Sequence, residues 1–167
     1  MTDDTPDRAL RAFRQHDSLT DPEETDGDGV TVTTTPFDAR ITAAPGADGR
    51  LTFDVSVAVP TLSAVTEESV APVVEDGWAE TFQLRVEDIG AVTAGDHDLS
   101  PSVDRDGDRL VVTATLSDLD HDRGTNDAVA VVDYVEGTYV QGVVPGYEYT
   151  EPVDGLIQAA RAAGGSA

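Results

Sequence analysis

Leu51, Phe53, Val55, Val57 and Val59 alternate without a break with Thr52, Asp54, Ser56 and Ala58. A period of two is the signature of a strand, whose side chains point to opposite faces in turn. A strand with one apolar and one polar side belongs in an antiparallel sheet with one face on a core and the other in water. The run is bounded by a turn, Pro45 to Gly49, and by Pro60. It therefore requires neighbouring strands of the same kind, and the chain supplies them. Val30 and Val32 alternate with threonines, and Phe37, Ala39, Ile41 and Ala43 alternate with Asp38, Arg40 and Thr42. Between them Pro36 marks either a tight turn into a second strand or a bend in one strand. Further on, Leu110, Val112, Ala114 and Leu116 alternate after Arg105-Asp106-Gly107-Asp108. Asp-Gly between two extended runs is a two-residue hairpin signal.

Helical patterns fill the intervals. Thr5-Pro6-Asp7 reads as cap, first-turn proline and first-turn acid of a helix ending near Asp17. From Pro72 a second helix is expected, with Val74, Trp78, Phe82, Val86 and Ile89 on its inner stripe and Gly90 placed for the C-cap. Asp118 to Gly124 reads as a loop, followed by a third helix capped by Thr125 or Asn126. Its stripe is Ala128, Val132, Val135, Tyr139 and Val143; the pattern predicts helix to Thr138 and leaves Tyr139 to Val144 open between helix and strand. Pro145-Gly146 must end it. Pro152 starts a small helix with Val153, Leu156, Ile157 and Ala160 inward. The whole is α+β: a twisted antiparallel sheet of about five strands with helices packed on it. Residues 1–167 make a single domain, with an acidic loop at 17–29 and a frayed tail at 164–167.

Charge sets the solvent. The chain carries 33 acidic and 10 basic residues, a net of -23, and every basic residue is Arg. Aspartate outnumbers glutamate 23 to 10, and Lys is absent. Lysine's alkyl stem adds apolar surface, whereas short carboxylates stay hydrated. In molar salt the Debye length falls to about 3 Å, which screens the self-repulsion; in dilute buffer the same charge pushes the fold apart. The expectation is a cytoplasmic protein of an extreme halophile. Such a field repels phosphate backbones, so nucleic acid is not an expected partner. The absence of Cys removes disulfides and thiolate metal sites. The first residues lack the basic start and apolar run of a signal peptide, and no stretch reaches the length of a membrane span.

Chemical motifs are scarce. Asp104, Asp106 and Asp108 alternate, as do Asp118, Asp120 and Asp122, but neither run places Gly and a bidentate acid where a calcium loop needs them. Asp96-His97-Asp98 and Asp120-His121-Asp122 are twin triplets that a metal site would need to bring together. There is no Gly-x-Ser-x-Gly, Walker or Gly-x-Gly-x-x-Gly pattern. No catalytic residue, metal ligand or cofactor is therefore assigned. What stands out is the low-charge stretch Gly124 to Tyr149, which holds all four tyrosines. Tyr134, Tyr139, Tyr147 and Tyr149 are the candidate binding residues, because an apolar ring with a polar tip suits an interface or a groove. Their simpler role is to seal the edge of a core short of aromatics.

Three segments carry a resemblance: Thr33-Thr34-Thr35-Pro36-Phe37-Asp38-Ala39, Val70-Ala71-Pro72-Val73-Val74-Glu75-Asp76-Gly77-Trp78, and Val132 to Tyr147, VDYVEGTYVQGVVPGY. Together they resemble an uncharacterised family of haloarchaeal proteins of unknown function. That resemblance brings no activity and no catalytic residue. The element order is also similar to the type III secretion chaperone-like fold, apart from the extra C-terminal helix. It implies a small dimer or a protein-binding module rather than an enzyme. The expectation is thus a non-catalytic interaction module that binds itself or another protein. The alternative is a small-molecule-binding domain or enzyme with an Asp/His/Tyr cleft beside residues 140–149.

Overall fold

The computed structural model describes residues 29–32, 35–89 and 99–164. The helix expected over Thr5–Asp17, nearly all of the 17–29 loop, Gly90 with most of the loop after it, and the last three residues lie outside them. Five strands follow the alternating runs: β1 (Gly29–Thr31), β2 (Asp38–Pro45), β3 (Leu51–Pro60), β4 (Ser102–Asp106) and β5 (Arg109–Asp118). They form one antiparallel sheet in the order β1-β2-β3-β5-β4. Pro36 lies in a turn, so residues 29–45 are two strands, with Val30 opposite Ile41.

The alternation decides which face is covered. Leu51, Phe53, Val55, Val57 and Val59 of β3 are all buried, as are Leu110, Val112, Ala114 and Leu116 of β5. The opposite face carries Thr42, Asp54, Ser56, Thr113 and Thr115, half-buried or exposed. Hydroxyls there bond across strands: Thr115 Oγ1 donates to Asp54 Oδ1 at 2.7 Å, and Ser102 and Thr113 share a hydrogen bond of 2.7 Å. The β4–β5 hairpin turns at Gly107-Asp108, one residue later than Asp-Gly suggests. Gly107, at φ 59°, takes the first turn position, where a left-handed conformation favours glycine.

Three helices complete the described fold: α1 (Pro72–Val86), α2 (His121–Gln141) and α3 (Val153–Gly164). The 21-residue α2 lies across β3 and β5, with α1 and α3 packed against it. Its expected stripe is in the core: Ala128, Val132, Val135 and Tyr139 are each 0% exposed. Val129 and Val131 are buried too, because α2 is covered on more than one side. The helix starts earlier than expected. Asp120 is the N-cap, accepting from the Arg123 amide at 3.0 Å, and Gly124 lies inside the first turns. Gly124 is no breaker here: a Cβ on it would stand 2.4 Å from the Phe53 ring. Glycine is what lets the helix approach β3 so closely. The open segment Tyr139 to Val144 resolves as helix to Gln141 with Gly142 as C-cap. The second expected helix ends at Val86 with Glu87 as C-cap rather than at Gly90.

Two ion pairs lock elements together. Arg123 Nε and NH2 each donate to Asp118 at 2.7 Å, fixing the end of β5, where Asp118 is 1% exposed, to the start of α2. Arg105 of β4 donates to Glu75 of α1 at 2.7 Å, and Glu75 also accepts from Ser63 in the turn before α1, through its amide and its hydroxyl. Burial raises the Glu75 pKa, but the two Ser63 hydrogen bonds and Arg105 outweigh it, so the carboxyl is held below its usual range.

Candidate functional site

The four tyrosines separate into two environments. Tyr139 is 0% exposed and sits at the centre of an aromatic cluster. Its ring meets Phe37 at 5.0 Å, Trp78 at 5.6 Å and Phe82 at 6.2 Å, all edge to face. Its hydroxyl donates to the Pro60 carbonyl at 2.9 Å, and burial raises its pKa. A side chain so enclosed offers no surface to a partner; it is a core residue. Tyr134 is half-buried and donates to the Arg85 carbonyl at 2.8 Å, tying α2 to the end of α1. Tyr147 and Tyr149 lie elsewhere, on the walls of a cleft of about 620 Å³.

That cleft is built from the way α2 ends. The Gly142 amide donates to the carbonyls of Thr138 and Tyr139, closing the helix. Pro145 then cannot continue it, and Gly146, at φ 99°, turns the chain back. The returning segment is strapped to residues 65–68. Thr66 and Tyr149 form an antiparallel bridge, the Glu67 amide donates to the Glu148 carbonyl at 2.9 Å, and the Thr150 amide donates to the Val65 carbonyl at 2.7 Å. The Glu148 amide in turn donates to the Glu68 carboxylate at 3.0 Å. The Tyr149 hydroxyl donates to the Val144 carbonyl, pinning the turn against its own base. A cis Glu151–Pro152 bond leads into α3, which closes the far wall with Asp154, Ile157 and Arg161.

The floor is apolar, from Val143, Val144 and Ile157, and the rim is charged. Glu67, Glu148, Glu151 and Asp154 stand around it, with Arg161 the one cation among the described residues that line it. Glu67 and Glu148 carry neighbouring carboxyls on paired backbone. The hydrogen bond between them, and then the charge of Glu67, raise the Glu148 pKa. Burial raises that of Tyr149 too, against the lowering effect of its bond to Val144.

Among the described residues no histidine lines the cleft. His121 stands at the N-terminus of α2, about 30 Å along the helix from the C-terminal end where the cleft begins. His97 lies outside the described residues. Asp118 and Asp120 are occupied by Arg123 and the helix cap. Among the described residues no group of three or more His, Cys, Asp or Glu is placed to hold a metal ion, and no helix is long and apolar enough to cross a membrane.

Sequence reasoning reached Tyr147, Tyr149 and the Pro-Gly turn but missed Glu67, Glu148, Glu151 and Arg161. Acids number 33, so no single pair announces itself, and the bridge that joins residue 66 to residue 149 has no local signature.

Fold and cleft together define a small antiparallel α+β protein with a tyrosine-walled, acid-rimmed cleft at one helix end. The match of a family model to residues 14–159 places it further: the chain belongs to DUF5813, a family of unknown function. No curated protein and no solved structure matches it, so the likeness to the secretion-chaperone fold stays one of element order.

Proposed function

We propose that the chain is a non-catalytic binding module of a halophile's cytoplasm that docks another protein at the cleft between the α2–α3 turn and α3. The observation that carries this reading is the cleft itself. Its volume of about 620 Å³ lies in the range of ligand sites, and it combines an apolar floor with two tyrosine rings and polar groups at the rim. The turn that forms it is fixed by backbone bonds to residues 65–68, so the shape is preorganised and little ordering entropy is lost on docking.

A peptide library displayed against the full-length protein in molar KCl tests the proposal. Peptides enriched on the wild type should shift amide NMR signals within residues 143–161 and lose binding to Tyr147→Asp. Enrichment of none, or shifts confined to other surfaces, would overturn it. Light scattering in the same salt reports whether the bound partner is a second copy: mass doubling that Tyr147→Asp abolishes would make the protein its own partner.

A further inference from the structure

We propose that the cleft takes its partner as an extended peptide strand, whose main chain pairs with the N–H and C=O of Tyr149. This rests on the cleft being a docking site and specifies how the occupant is held. The backbone hydrogen bonds of the strap decide which edge is free. The Glu67 amide donates to the Glu148 carbonyl at 2.9 Å, and the Thr150 amide to the Val65 carbonyl at 2.7 Å, on either side of the Thr66–Tyr149 bridge. Successive residues of an extended segment turn their backbone groups to opposite edges. Glu148 and Thr150 therefore face residues 65–67, and Tyr149 faces away. Among the described residues the main-chain N–H and C=O of Tyr149 have no partner; its hydroxyl alone is engaged, on the Val144 carbonyl. Backbone groups are obligatory hydrogen-bonding groups, so an occupant that displaces water from them must supply partners of its own.

The cleft lies on that free edge. Every residue from Tyr147 to Glu151 lines it. Side chains of an extended segment point to opposite faces in turn, so an unbroken run borders the cleft with its backbone edge rather than with one face. The other edge is already filled by residues 65–67. A strand laid along the open edge turns a two-stranded ribbon into a three-stranded one, with main-chain bonds for affinity and alternate side chains for specificity. The register follows. A residue that exchanges both bonds with Tyr149 stands directly opposite it, its Cβ about 5 Å away on the same face. On that face the Tyr149 ring runs to Val144, and Val143 and Ile157 line the same cleft. A β-branched aliphatic side chain suits this place, packed on the ring and over the apolar floor. Pro145 and Pro152 bound the segment, so the edge is short and receives one peptide strand rather than a growing sheet.

The experiment titrates the full-length protein in molar KCl with the neutral peptide acetyl-Ser-Thr-Val-Thr-Ser-amide. Two analogues carry an N-methyl group, one on the valine nitrogen and one on the nitrogen of the threonine after it. A third replaces the valine by serine. Amide NMR shifts at residues 143–161 are read against concentration, and hydrogen exchange is followed at Tyr149. The parent peptide should bind saturably, one to one. Methylation of the valine nitrogen removes the donor that meets Tyr149 and should weaken binding about tenfold, whereas the threonine nitrogen points away and its methylation should leave binding within about twofold. Loss of the valine side chain should also cost about tenfold. Exchange of the Tyr149 amide should slow about tenfold or more in the complex, while the Thr150 amide, already bonded to Val65, changes little. Equal tolerance of the two methyl groups, or Tyr149 exchange unaltered by saturating peptide, overturns the proposal. So does the absence of saturable binding by the parent peptide. If peptides from the displayed library still shift residues 143–161 but accept N-methylation at every position, the docking site stands and strand pairing is lost; if none shifts them, both readings fall.

Discussion

A single missing methyl group has opposite meanings at different glycines of this chain. At Gly124 a Cβ would press on Phe53 at 2.4 Å, and Phe53 is fully buried against its neighbours, so the ring has nowhere to go. At Gly77 in α1 and Gly137 in α2 nothing lies within 4 Å of the same atom. Gly124→Ala should therefore destabilise by about 1–3 kcal/mol through overpacking. Gly77→Ala and Gly137→Ala should each stabilise by about 0.5–1 kcal/mol, by helix propensity alone. Chemical denaturation in constant molar KCl measures all three. If Gly124→Ala proved as harmless as the others, the close crossing of α2 over β3 would be wrong. This is also where sequence reading met its limit. Gly124 looks like a loop residue because the atom that demands it, on Phe53, is far away in the chain.

At the level of elements, the strands were legible and their ties were not. Alternation is a local property, so every buried position of β3 and β5 from Leu51 to Leu116 could be named in advance. The stripes of α1 and α2 were legible for the same reason, since Trp78, Phe82, Val132 and Val135 repeat at helical steps. Glu75 was not, because an acid on an inner face makes sense only once Ser63 and Arg105 converge on it. That convergence fastens three pieces of chain, and it carries a pH dependence. The Glu75 carboxyl is held below its usual range in the fold, so its contribution is complete above the ordinary carboxylate range and lost as pH falls through the depressed folded value. Glu75→Gln should cost about 1–3 kcal/mol at neutral pH, and the gap from wild type should close on acidification below that value. A gap that stayed constant, or widened in acid, would mean the ionised carboxyl is not what holds these elements.

On the scale of the whole molecule, a net charge of -23 works against any compact state. Arginines offset it locally: among the described residues Arg105, Arg109 and Arg123 pair with carboxylates, and each of these pairs ties one element to another. If the fold is adapted to brine, its melting temperature should climb steeply as KCl rises from dilute buffer and flatten near one molar, where the screening length has already shrunk to about 3 Å. Full thermal stability in salt-free buffer would remove the halophilic reading. The strap between Thr66 and Tyr149 bears on how any such protein can be dissected. It recruits one lip of the recess from the middle of the polypeptide and the other from its last quarter. No fragment that lacks either lip can therefore carry the recess intact, and an occupant would act as a clasp that resists unravelling of everything between the two lips.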